Sequence, residues 1–196
     1  MQVPLPLIFR LPEAILFWAI FIIAFFPEIR LGREARRAAP SPQDAGTFCL
    51  IIIGNQIAMT AGLAASFLPV LVIPAPHIAF YSGMILLVLG TAVRRHCFKI
   101  LGQYFTGVVT ASAGQPVIDR GLYRWVRHPS YTGGVLMFSG LGISSGSWLS
   151  TAILFLIPCL LYSRRVAAEE KALLDTIGEP YRAYMAKTKR FIPFIV

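Results

Sequence analysis

Charge is what this sequence is short of. Only 14% of its 196 residues are charged, against about 25% in an ordinary soluble domain. Acids are the scarcer sign, with nine Asp and Glu against eighteen Lys and Arg. Combined with 56% hydrophobic residues, 14 Phe and a mean hydropathy of +0.67, that shortage excludes a soluble domain of this length and identifies an integral membrane protein. Cysteine is equally sparse. Cys49, Cys97 and Cys159 are odd in number and lack CxxC spacing, so no disulfide framework follows. His77, His96 and His128 neither pair at helical spacing nor neighbour clustered carboxylates, which argues against a metal site. No internal repeat is present.

The excess of base gives a formal charge of +9. A basic patch can be the footprint of phosphate binding, but here Lys and Arg lie between apolar runs, where they set membrane orientation and can meet anionic lipid. Nucleic acid is therefore not an expected partner; membrane lipid is.

A spanning helix needs about 20 residues. Residues Leu11–Phe26 and Thr47–Leu68 meet that requirement, and Ile78–Val93 meets it as a short helix. The apolar run from Gly133 to Ser163 has 31 residues, roughly 46 Å of helix and too long for one crossing. "GISSGSW" (Gly142–Trp148) interrupts it, which predicts a helical hairpin whose ends return to one side. Between Ile100 and Ile118 lie 19 uncharged residues. If they do not cross, 17 of the 18 basic residues share one side, with Arg10 alone opposite. If they do, the split is 7 to 11 and the positive-inside bias vanishes. The expectation is an all-α integral membrane protein, a single domain with about five membrane-embedded helices, N-terminus outside and C-terminus inside. Residues 1–93 carry three helices and 94–196 a cytosolic loop, the hairpin and C-terminal helical segments. The first apolar run is too long, and lacks a small-residue cleavage site, for a removable signal. Residues 33–46 read as a polar loop joining the first two helices.

Within the second helix Gly54, Ala58 and Gly62 recur every four residues, a spacing that lets helices approach closely. Asn55 and Gln56 beside them are expected to form interhelical hydrogen bonds. Pro158 interrupts the backbone ladder of the last helix. Trp18 and Trp148 are expected at the membrane interfaces.

The chemistry is expected in two polar segments on the inner side. The first is "RGLYRWVRHPSYTGG" (Arg120–Gly134), where Pro129 biases His128 towards extended backbone. "RHPSY" is therefore expected outside a helix, with Gly133 and Gly134 turning the chain into the hairpin. Extended backbone beside a membrane needs hydrogen-bond partners, which a polar ligand can supply. Tyr123, Trp125 and Tyr131 offer flat surface for a ring or a thioether. The second segment, "SRRVAAEEKALLDTIG", continues the last helix as far as Gly178. Leu161, Arg165, Glu169 and Leu173 form one stripe along it. An exposed Arg165–Glu169 pair is worth only about 0.3–0.5 kcal/mol, whereas buried at a membrane boundary each charge needs a partner or a ligand.

Taken together, "GLYRWVRHPSYTGG", a hydrophobic hairpin, "RRVAAEE" and "GEPYRAYMAKTKRFIPFI" resemble the isoprenylcysteine carboxyl methyltransferase family and its prokaryotic relatives, from about Leu101 to the C-terminus. The resemblance implies an S-adenosylmethionine-dependent methyltransferase without the soluble methyltransferase fold, and the missing glycine-rich strand-to-helix loop agrees with it. It implies cofactor contacts from Gln115, Pro116, Val117, Ile118, Tyr123, His128, Pro129, Ser130, Tyr131 and Glu169, with Gln115 standing where several eukaryotic members have histidine. Arg165 falls on the position that holds the substrate carboxylate. The implied acceptor is the carboxylate of a prenylated cysteine or a similar lipid-like acid. Two other classes remain open from the sequence. One is a methyltransferase for a phospholipid amine or a thiol, which needs a base such as His128 or Glu170. The other is a sterol-reductase-like NADPH protein or a non-catalytic membrane scaffold.

Overall fold

The computed structural model describes residues 5–37, 41–68, 71–111 and 114–192. Six α-helices are formed: α1 (Glu13–Arg37), α2 (Thr47–Ala65), α3 (Pro76–Leu101), α4 (Pro129–Ser144), α5 (Trp148–Ile177) and α6 (Glu179–Lys187). Short 3₁₀ turns at Pro42–Asp44 and Gly121–Arg124 lead into α2 and towards α4. Among the described residues the β-pairing consists of two isolated bridges, Val72 with Ser147 and Val126 with Lys189.

Among the described residues four stretches are long and apolar enough to cross a membrane: Glu13–Arg33, Thr47–Ala65, Pro76–Tyr104 and Trp148–Ile177. Their outward faces carry exposed Ile22, Phe26, Ile57, Ile85 and Leu160, an apolar coat that only lipid tolerates at this extent. α4 has 16 residues, about 24 Å at 1.5 Å per residue, so it is the short arm of the hairpin and α5 the long one. The turn between them, residues 145–147, uses Gly146 at φ +78° and the Ser147 hydroxyl, which accepts the Ser150 N–H. This is the break expected at "GISSGSW". α5 then runs on without interruption and stops at Gly178, as the sequence requires. Residues 105–111 and 114–120 form no helix, and Val109 and Ala111 hydrogen-bond to Asp44 and Gln43 ahead of α2.

The hairpin begins four residues earlier than its glycines predict. His128 is the last non-helical residue (φ −126°, ψ 50°), and Pro129 opens α4. The sequence reading kept "RHPSY" outside a helix, but proline is well suited to a first helical position, where its missing N–H would have no partner anyway. Ser130 and Tyr131 therefore lie in the first turn of α4. Gly133 and Gly134 are not a turn; they allow close approach. A Cβ on Gly133 would sit 2.9 Å from the Gly90 carbonyl oxygen, and one on Gly134 2.9 Å from the Tyr162 ring. Gly83 and Gly140 face one another in the same seam, so α3 and α4 meet backbone to backbone.

The small residues of α2 play the role their spacing assigns. Ala58 is fully buried, and a Cβ on Gly54 or Gly62 would strike Leu161 or Leu154 of α5. Asn55 donates from Nδ2 to the Tyr162 hydroxyl at 3.2 Å, the expected interhelical bond. Trp18 is half-buried and its indole N–H donates to the Ile8 carbonyl, whereas Trp148 is exposed. Phe17, Phe80, Leu87, Met137, Leu141 and Leu154 form the fully buried centre.

Candidate active site

Helical geometry places Arg165 and Glu169 one turn apart on the inward face of α5, and the first turn of α4 brings Tyr131 between them. The Tyr131 hydroxyl donates to Glu169 Oε2 at 2.8 Å and accepts from Arg165 Nε at 3.3 Å. The phenol thus joins the two charged groups and fixes their separation. Arg165 is 4% exposed, so its charge needs internal partners. Nη1 donates to Asp44 Oδ1 and to Thr47 Oγ1, and Nη2 donates to the Gly107 carbonyl at 2.7 Å.

Asp44 was invisible as a site residue in the sequence. It is 5% exposed and precedes α2, where its Oδ2 accepts the Phe48 N–H while Oδ1 also accepts the Val109 N–H, each at 2.9 Å. Burial alone would raise its carboxyl, but these two N–H groups and the Arg165 charge outweigh that and hold it below the ordinary carboxylate range. Glu28 and Arg94 form a second cross-link that the sequence did not announce. Arg94 Nε and Nη2 donate to the two Glu28 oxygens at 2.6 and 2.5 Å, and Nη1 reaches the Ser130 carbonyl at 3.1 Å. This bidentate pair ties α1 and α3 to the start of α4.

A third knot lies behind the first turn of α4. Glu170 accepts from Arg127 Nε at 2.9 Å and from Arg190 Nη2 at 2.7 Å, with His128 Nε2 at 3.3 Å. The extended backbone before Pro129 finds its partners here: Arg127 and His128 donate their main-chain N–H groups to the carbonyls of Lys189 and Arg190. The C-terminal segment, not a ligand, satisfies that strand. Glu170 is 3% exposed, held by three cationic or imidazole groups, and does not line the cavity. It is therefore unavailable as the base that an amine or thiol acceptor requires.

Between these knots lies a cavity of about 630 Å³, within the range of small-molecule and cofactor sites. Gln115, Pro116, Val117, Ile118, Tyr123, His128, Ser130, Tyr131, Arg165 and Glu169 all line it. Pro129 does not; it is buried in the helix start. Tyr181 and Tyr184 of α6 complete an aromatic wall that the sequence reading missed. The Tyr184 hydroxyl donates to the Tyr123 carbonyl at 2.6 Å, closing α6 onto the loop. Burial pushes the phenols of Tyr123, Tyr181 and Tyr184 well above their ordinary range, so they serve as neutral walls. Phe25, Ile29, Ile52 and Met59 of α1 and α2 also line the cavity, beside Glu28 and Asn55 of the same helices, so one chamber combines charged and polar groups with a large apolar wall.

Residues 83–175 match the model of the isoprenylcysteine carboxyl methyltransferase (ICMT) family. The chain is 30% identical over 116 residues to the protein-S-isoprenylcysteine O-methyltransferase of Schizosaccharomyces pombe, covering 58% of this chain and 49% of that one. It is 29% identical over 117 residues to the probable protein-S-isoprenylcysteine O-methyltransferase of Oryza sativa subsp. indica, covering 59% and 61%. The chain thus spans about half to three-fifths of these relatives' lengths. Among solved structures, the eukaryotic intramembrane Ras methyltransferase ICMT superposes with a TM-score of 0.64 at 27% identity, covering 71% of this chain and 52% of that chain. The matched segment runs through the glycine seam, the first turn of α4 and the Arg165–Glu169 face, so this stretch of the chain is similar to the isoprenylcysteine carboxyl methyltransferase family.

Proposed function

We propose that this protein is an S-adenosylmethionine-dependent methyltransferase that esterifies the carboxylate of a prenylated cysteine or a similar lipid-like acid, at the cytosolic face of a membrane. The observation that carries the reading is the meeting of Arg165 and Glu169 at the Tyr131 hydroxyl, inside a chamber that apolar side chains of α1 and α2 also line.

The lining suits such a cofactor. An ammonium needs an acid, and the hydrogen-bond partner of Glu169 is a neutral phenol, whereas Glu28 already carries Arg94. A sulfonium gains from an aromatic face, which Tyr123, Tyr131 and Tyr181 supply. Gln115 to Ile118 and Tyr123 would border the nucleoside end, and His128 and Ser130 the amino-acid end. Bound there, the cofactor supplies an electrophilic methyl group.

This chain's own residues position the acceptor. A carboxylic acid with an ordinary pKa of about 3.5 is already ionised at neutral pH and needs no base. Arg165 holds it, and the apolar side chains of α1 and α2 that line the chamber receive the lipid tail. Methyl transfer of this kind depends chiefly on alignment. The Glu170 knot favours an acid over an amine, because Glu170 is already held by Arg127 and Arg190, and His128, the other candidate base, lies 3.3 Å from the same carboxylate.

Calorimetric titration of the purified protein with S-adenosylhomocysteine and with NADPH tests the cofactor. Saturable binding of the first alone is expected. Binding of NADPH alone would replace this reading with a reductase, and binding of neither would leave a scaffold. Methylation of phosphatidylethanolamine in preference to an S-farnesylcysteine would overturn the acceptor class.

A further inference from the structure

Arg165 has five N–H groups, and four of them are already placed. Nε meets Tyr131, the two of Nη1 meet Asp44 and Thr47, and one of Nη2 meets Gly107. Among the described residues a single Nη2 N–H is left for anything that enters the chamber. A carboxylate usually takes arginine through two parallel hydrogen bonds, one to each oxygen. Here that fork is not on offer.

Asp44 is the anchor of this arrangement. Its Oδ1 receives both Arg165 and the Val109 N–H, and its Oδ2 receives the Phe48 N–H. One carboxylate thereby fixes the guanidinium, the loop that carries Gly107, and the start of α2. Asp44 does not itself line the cavity. It also lies outside residues 83–175, the part of the chain matched by the family model.

We infer that Asp44, with Thr47, is a positioning residue that restricts Arg165 to a one-point grip on the acceptor carboxylate and so keeps the second carboxylate oxygen free to attack. The inference rests on the acceptor reading above. In the transfer, a lone pair of that free oxygen forms the new O–CH₃ bond as the S–CH₃ bond of the sulfonium donor breaks. The bonding pair returns to sulfur, and no proton moves. A second hydrogen bond from Arg165 would stabilise the ionised acid before transfer and weaken the oxygen that must become an ester. An interaction stronger in the ground state than in the transition state slows the chemical step. The carboxylate of Asp44 also offsets the Arg165 charge, which limits how tightly the resting acid is held.

The test uses the full chain in lipid nanodiscs, an S-farnesylated N-acetylcysteine and its carboxamide. Binding to cofactor-free protein is measured by calorimetry, and kcat and KM in a separate assay. In Asp44→Ala the carboxylate should bind roughly tenfold tighter, the worth of one charge-assisted hydrogen bond. Carboxamide binding should stay unchanged, while kcat and KM fall together. Thr47→Val frees one Nη1 N–H and leaves the Asp44 carboxylate with its Phe48 and Val109 N–H partners, losing besides only the Thr47 hydroxyl's bond to the Asp44 carbonyl, and should shift the same quantities about threefold in the same directions. It carries the test alone if Asp44→Ala does not fold. Unchanged or weaker carboxylate binding in a variant that still binds S-adenosylhomocysteine overturns the inference and leaves the acceptor reading standing. A wild-type chain that neither methylates the acid nor distinguishes it from its amide overturns both.

Discussion

Arg165 and Glu170 are five residues apart on α5, both buried and both hydrogen-bonded to oppositely charged partners, yet they hold opposite things. Five residues turn a helix by about 140° beyond a full revolution, so the two side chains leave on different faces. Arg165 shares its face with Glu169 and looks into the cavity, its partners drawn from the α1–α2 connection, from Gly107 and from Tyr131. Glu170 looks away from the cavity and gathers Arg127, His128 and Arg190, binding the C-terminal segment to the strand before α4. The same chemistry of buried ion pairing fixes a cavity-facing group in one case and the segment after α6 in the other. What separates them is a helical phase, which sequence carries, and a set of remote partners, which it does not.

Breaking the cavity-facing knot should produce the largest functional effect. In Arg165→Ala, methyl transfer to a lipid-like acid is expected to fall by roughly 1000-fold, in line with loss of a buried, hydrogen-bonded charge. S-adenosylhomocysteine affinity measured by calorimetry should stay within about twofold. Equal loss of both would mean that the two faces of α5 are not divided in role as proposed.

Breaking the outward knot should cost stability instead. Glu170→Ala leaves Arg127 unpaired beside buried backbone, and about 3 kcal/mol of stability should go with it, read as a lowered denaturation midpoint and faster proteolysis after α6. Glu170→Gln keeps one acceptor oxygen while turning the other into a donor, and should lose less. A Glu170→Ala variant of full stability would erase the distinction between the knots.

The phenol that touches only the cavity-facing knot sharpens the contrast. Tyr131→Phe removes both the donor to Glu169 and the acceptor for Arg165, and an effect of about tenfold on kcat/KM is expected, with little change in the denaturation midpoint.

Acid provides the mildest discrimination. Because the Asp44 carboxyl is held below its ordinary value, its contribution to stability is fully present above the unfolded value of about 3.9 and is lost as pH falls through the lower folded value. Nothing from this group should change between pH 7 and pH 5. Below about pH 4 the wild-type chain should lose stability faster than Asp44→Asn, and parallel acid limbs would remove Asp44 from the knot.

Much of this arrangement could be read along the chain. The α5 stripe placed Arg165 and Glu169 on one face, Gly178 ended it, and the small residues of α2 marked the contact with α5. Those features are local, set by helical period or by one residue's backbone. The start of α4 was misplaced because Pro129 both restrains the residue before it and opens a helix well, and only the packed structure decides which property prevails. Asp44 and Glu28 were missed for another reason. Asp44 meets Arg165 across 121 residues and Glu28 meets Arg94 across 66; no spacing rule reaches so far, and both carboxylates sit where a polar loop or a helix end makes an acid unremarked. An arginine buried in an apolar chain with so few acids was the available signal, since each such charge had to claim one of them.

The seam of Gly83, Gly90, Gly133 and Gly140 has a consequence for how this chamber can vary. With no space for a methyl group between the two backbones, the thickness of the α3–α4 slab is set at its minimum, and α4 carries Ser130 and Tyr131 at its head. Any alanine introduced there works as a shim: it pushes α4 outward and tilts its first turn against the Arg165 face of α5. Pocket depth in chains built on this plan is thus adjustable by single carbon atoms placed far from any ligand.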